Sequence, residues 1–124
     1  MLRPYTDVVS TSQRLDDGQF ARWWAETGEW ELCQILYWKW DPIRVSEYFP
    51  DSAHEYDSYA DEIIAAVGDG ASIAKISETL VIIEDERMGL GKGPSDRRHT
   101  VAADILAWFE SSQNRWMEFG PLRR

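Results

Sequence analysis

The stretch YWKWDPIRV, residues 37 to 45, decides how this chain is read. It closes an apolar run, EWELCQILYWKW from Glu29 to Trp40, that is hydrophobic nearly all round. Such a run suits a central helix contacted on several sides. Its Ile, Tyr and Trp content also suits a strand, but about a dozen residues is long for one. Pro42 settles where the run stops, because its ring pushes Asp41 out of the right-handed helical region. Trp40-Asp41-Pro42 is therefore a helix stop that anchors large rings near a corner. Beyond it, Ile43, Val45, Tyr48 and Phe49 give an irregular apolar connection to Pro50.

Upstream, residues 1 to 15 show no sustained period and read as an arm. Asp16-Asp17 followed by FARWWAET up to Gly28 predicts a short helix with acidic residues at its start and glycine at its end. Downstream, Ser52-Ala53-His54-Glu55 matches a capping box, which predicts a helix from 52 or 53. Its apolar members Tyr56, Tyr59, Ala60, Ile63, Ile64 and Val67 recur at steps of three and four up to Gly68-Asp69-Gly70. Ser72 suits an N-cap for a helix to Met88 that buries Ile73, Ile76, Leu80 and Ile83. The loop at 89–98 carries Lys92, Arg97 and Arg98. A last helix from about Asp96 to Phe119 turns Val101, Ile105, Trp108, Phe109, Ser112 and Trp116 inward and ends at Gly120-Pro121. The expectation is an all-α fold: one domain over residues 16–120, a small bundle of four main helices plus a short N-terminal one, with a tail at 121–124.

A chain of 124 residues can bury roughly two thirds of the surface it exposes unfolded, enough for a core without metal or disulfide support. The single Cys33 excludes an internal disulfide, and MLRPYTDVVSTSQR lacks the basic-then-apolar layout of a signal peptide. No apolar run approaches the roughly 20 residues needed to cross a bilayer. A cytoplasmic, soluble protein is expected.

Charge is the most informative property. Between Val45 and Ala74, Glu47, Asp51, Glu55, Asp57, Asp61, Glu62 and Asp69 stand without one Lys or Arg, and carry −7 of a net −9. Nucleic-acid and anionic-membrane binding depend on basic side chains, so this balance opposes both. It favours a basic protein partner.

Several chemistries are suggested and each has a plainer reading. Asp51-x-x-His54 and Asp96-x-x-His99 resemble the carboxylate-x-x-His ligand pairs of di-iron bundles. Both lie at expected helix starts, where aspartate is common as a cap. GLGKGPS, residues 89–95, suggests a phosphate loop, but Gly93 follows Lys92 where Ser or Thr is needed. Cys33 lies inside the most apolar segment, flanked by Leu32 and Ile35, where a thiol packs as a small hydrophobe. Glu84-Asp85-Glu86, with Arg87 beside it, reads as a solvated face. Trp23 and Trp24, about 100° apart on a helix, cannot both point into one core.

The stretch from about Trp30 to Leu90 resembles the YugE-like proteins, a family of small bacterial helical proteins of unknown function. The shared signals are the apolar helix into Trp40-Asp41-Pro42-Ile43, the segment Glu55-Tyr56-Asp57-x-Tyr59, and Gly70-Ala71-Ser72 opening a helix that reaches Ile83-Glu84. Arg44 stands where that family would carry glycine. The resemblance implies a small helical bundle and no particular activity.

The functional expectation is a non-enzymatic, acidic protein-binding module of the inhibitor or immunity kind. Its face would be built from Glu55, Asp57, Asp61 and Glu62, with Asp41 and Glu47 beside them, and it would need no cofactor, metal or catalytic residue. The alternative is a metal-dependent enzyme using His54, His99 and nearby carboxylates.

Overall fold

The computed structural model describes residues 15–93 and 96–121. Among them there are four helices and no strand, the small all-α bundle that the apolar spacing predicts. The arm expected over 1–15 and the tail over 121–124 lie outside the described residues, Leu15 and Pro121 excepted. Leu15 already belongs to the core, at 4% exposure.

Helix α1 spans 17–40 without interruption, so the short N-terminal helix and the central helix of the sequence reading are one rod. Asp16 caps it: its carboxylate accepts from the Gln19 amide at 2.8 Å and the Gln19 side chain bonds back to the Asp16 amide. Gly28 was expected to end a helix; instead it keeps right-handed angles, φ −65° and ψ −43°. Its role is spatial. A β-carbon there would stand 2.7 Å from the Trp23 ring, so the absent side chain is what admits that indole.

Two segments of α1, Trp24–Gly28 and Leu36–Trp40, are wide π turns, closed by bonds spanning five residues such as Asp41 N–H to Leu36 O at 3.0 Å. A wider turn advances each residue by a smaller angle, so neighbours in sequence share a side. The first of these segments buries Thr27 and Gly28 and the second Leu36 and Tyr37.

Helix α2, Ala60–Gly68, buries Ala60, Ile63, Ile64 and Val67. Helix α3, 73–87, begins at Ser72, whose hydroxyl accepts from the Lys75 amide at 3.2 Å, and ends in a third π turn, Ile83–Arg87. Helix α4, Asp96–Phe119, runs along α3 and meets both π turns of α1. No helix among the described residues is long and apolar enough to cross a membrane.

Tryptophan indoles join α1 to the other helices by hydrogen bonds as well as by area. Trp108 donates to Glu31 at 2.8 Å, Trp116 to Glu26 at 2.9 Å, Trp23 to Ser112 at 2.9 Å and Trp40 to Glu84 at 2.8 Å. Glu84 thus leaves the solvated face assigned to it: the closing π turn of α3 carries it inside beside Ile83, where Arg98 meets it at 3.0 Å. A buried pair of this kind holds register, because removing either partner strands the other charge.

Two neighbouring positions give opposite predictions. Gly28→Ala should gain about 1 kcal/mol of helix propensity, yet lose about 1–3 kcal/mol overall by colliding with Trp23. Thr27 holds a buried hydroxyl without a hydrogen-bond partner among the described residues, so Thr27→Val should stabilise by about 1 kcal/mol. Urea unfolding of the two variants checks both signs.

Candidate functional site

The corner after α1 builds the most unusual surface of the molecule. Asp41 ends the helix in the left-handed region at φ 34°, and Arg44 follows at φ 58°, a conformation glycine takes without cost. Asp41 was placed with the partner-binding carboxylates, but it points inward and is 4% exposed. Its two oxygens accept from the Val45 amide at 2.8 Å, the Ser46 amide at 3.2 Å, the Ser46 hydroxyl at 2.6 Å and the Tyr56 hydroxyl at 2.6 Å. Burial by itself raises its pKa; the bonds from Ser46, Tyr56 and the two amides outweigh it and hold the carboxyl below its ordinary value.

The helix expected from Ser52 does not form there. Ser52 spends its hydroxyl on the Val45 carbonyl and on the Tyr37 hydroxyl, 2.6 Å away, so it caps nothing. In its place residues 46–59 run as successive tight turns, each closed by a bond spanning three residues, from Phe49 N–H to Ser46 O through to Tyr59 N–H to Tyr56 O. The Phe49–Pro50 peptide is cis. Held by those turns, the loop presents Ile43, Tyr48 and Phe49 to solvent, the last two 64% and 56% exposed. Trp38 of α1, half exposed, closes on Phe49 at 5.2 Å between ring centres. Trp23 is wholly buried and Trp24 packs partly buried against the core; the exposed indoles are Trp30 and Trp38.

The carboxylates of residues 47–62 differ in exposure and in partners. Glu47, Asp51, Glu55 and Asp61 are exposed and make no ion pair among the described residues. Glu62 is paired with Arg87 at 2.9 Å, and Asp57 with His54 at 2.7 Å. The basic loop turns elsewhere: Lys92 to Asp85, Arg97 to the Lys39 carbonyl, Arg98 to Glu84 and the Gly93 carbonyl.

An open cleft of about 310 Å³ lies between α1 and residues 54–57, lined by Glu29, Trp30, Cys33, Gln34, His54 and Asp57. A thiol, an imidazole and a carboxylate meet here, but in the wrong order for a nucleophile. His54 bonds Asp57 and lies 89% exposed, while burial first, and then the adjacent Asp57 carboxylate, push the Cys33 thiol up to about 12. A thiolate is the attacking species, and this environment suppresses it. His99 stands exposed in the first turn of α4. Among the described residues no three His, Cys, Asp or Glu side chains are grouped to hold a metal ion.

The aromatic ridge and the cleft were not legible as sites. Trp30, Gln34 and Trp38 recur at four-residue steps, a spacing that could have marked one face of the helix, but the run around them is apolar on every side.

Because the folded-state pKa of Asp41 is depressed, its stabilisation is complete above about pH 4 and is lost as pH falls through the folded value. Asp41→Asn should therefore cost about 2 kcal/mol at pH 7, with variant and parent converging at the acid end. Urea midpoints at neutral and acid pH measure this; an equal gap at both would show that the charge is not what holds the loop. Compared with models of known families, with curated proteins and with solved structures, the chain matches none.

Proposed function

We propose that this protein is a non-enzymatic binding module that docks a basic protein, in the manner of an inhibitor or immunity protein, through the face at 38–61. The observation that carries the reading is the ridge of Ile43, Tyr48 and Phe49, exposed on a pinned loop with Trp38 of α1 against Phe49, in a stretch of chain that also exposes Glu47, Asp51, Glu55 and Asp61. Exposed aromatic side chains on an ordered scaffold are the usual anchors of a protein interface. Exposed carboxylates in the same stretch add a long-range field that speeds encounter with a positive surface and fades with salt.

Rigidity supports the same reading. Tyr37, Asp41, Ser52 and Tyr56 hold the loop by side-chain bonds, so little conformational freedom is left to lose when a partner binds. The ridge supplies contact area and the carboxylates supply orientation.

The test is a kinetic one. A binding partner isolated from the native host is purified, and its association is followed against ionic strength. Glu55→Lys together with Asp61→Lys should slow association by about tenfold or more and flatten its salt dependence. Trp38→Ala should act on dissociation instead. An unchanged on-rate and salt slope in the double reversal would refute the proposal.

A further inference from the structure

Resting on the reading of the ridge as a docking face, we infer that a second copy of this chain covers it when no basic partner is bound, in a weak two-fold dimer where Arg44 of each copy pairs with Glu47 of the other. The argument starts from those two side chains. They stand three residues apart and both are exposed, yet neither makes an ion pair among the described residues. Arg44 holds φ 58°, a left-handed conformation that is strained for a residue with a β-carbon. Its amide bonds the Asp41 carbonyl at 3.2 Å, so the corner fixes the backbone that carries it. No Lys or Arg follows between Val45 and Ala74. A cation is thus kept in a strained position beside Ile43, at the head of an acidic stretch.

A basic partner has no use for Arg44, which it meets as a like charge. A second copy does. A two-fold axis sets one patch against itself, so a contact from Arg44 to Glu47 is made twice. The area also suits a second copy. Trp38, Tyr48 and Phe49 are 50%, 64% and 56% exposed, and at about 150–250 Å² per aromatic side chain they offer about 350 Å² of apolar surface. Ile43, Arg44, Glu47, Pro50 and Asp51 are exposed as well. With them the loop reaches about 600 Å² per copy, the low end of specific interfaces.

Net charge keeps the dimer weak. Two chains of −9 repel at long range, which leaves a second copy easily displaced by a protein of opposite sign. Salt then moves the two complexes in opposite directions: screening reduces the repulsion between copies and tightens the dimer, whereas it weakens attraction to a basic protein.

The experiment is sedimentation velocity on the whole chain from micromolar to millimolar concentration, at low and at moderate salt. A monomer–dimer equilibrium is expected, tighter at the higher salt. Tyr48→Ser, at the most exposed ring of the ridge, should weaken it about tenfold. Arg44→Glu and Glu47→Arg should each do the same, and the two together should restore association to within a few-fold of the parent. Glu47→Arg alone is the decisive change: it brings the net charge nearer zero, so repulsion between copies predicts a tighter dimer and loss of the pair a weaker one. All three side chains are exposed, and an unchanged circular dichroism spectrum checks that the fold is kept. A chain monomeric at every concentration, a dimer indifferent to Tyr48→Ser, or a double variant no better than its singles would overturn the inference. The two proposals fail separately. A monomer whose docking still slows on Glu55→Lys with Asp61→Lys refutes the dimer alone, and a dimer that obeys the charge swap, beside an unchanged docking on-rate and salt slope, refutes the docking reading alone.

Discussion

The Asp41 carboxylate is the constraint on which the functional half of the molecule depends. A helix of 24 residues, 17–40, delivers it to the corner, and four donors from residues 45, 46 and 56 converge on it there. The Tyr37–Ser52 pair and the turns that follow then hold the apolar segment outward. Without a fixed acceptor, the backbone amides after Pro42 would need water, and the exposed rings of Tyr48 and Phe49 would be free to collapse onto the helix. The charge is turned inward so that hydrophobic groups can be turned outward. That inverts the usual division between core and surface, and it is why the corner stands apart from the rest of the bundle.

The other half is organised by indoles. Four of them end on a carboxylate or on a hydroxyl bound to one, and Ser112 links Trp23 to Glu31 by donating to Glu31 at 2.6 Å. Glu31 also takes Trp108 and Arg115. Burial alone would raise its pKa; the bonds from Ser112, Arg115 and Trp108 carry it below the ordinary value instead. Area burial gives these rings most of their stabilising effect, but area has no direction. The N–H bonds set which face of α4 lies against α1, and so fix where the α1 surface carrying Trp30 and Trp38 must point.

How much of this could be read from residues alone differs by element. Helices α2, α3 and α4 were legible because their apolar positions keep the helical period, and the Ser72 cap was legible because a serine stood before an apolar run. The stop at Asp41 followed from Pro42. What failed were local signs overruled by distant partners. Gly28 looked like a terminator, but the Trp23 ring occupies the space its side chain would need. Ser52 looked like a cap, but Tyr37 and Val45 claim its hydroxyl. Glu84 looked solvated until a π turn rotated it toward Trp40 and Arg98. The acidic stretch was visible as composition, yet composition could not say that Asp41 faces inward, that Glu62 is spoken for by Arg87, or that an aromatic ridge rises between the rest.

The sharing of Glu31 bears on how this sequence can change over generations. One carboxylate serves Trp108, Ser112 and Arg115 directly and Trp23 through Ser112. A change from tryptophan to phenylalanine at 108 is mild in volume, yet it withdraws a donor from a partly buried charge. Replacing Glu31 in turn leaves three donors seeking another acceptor. Effects at such sites do not add, so the cost of one step depends on which of the others has been taken. Drift in this chain is therefore channelled: surface positions such as Glu86 or Asn114 can wander singly, whereas positions 23, 31, 108, 112 and 115 are bound to move as a group or to stay.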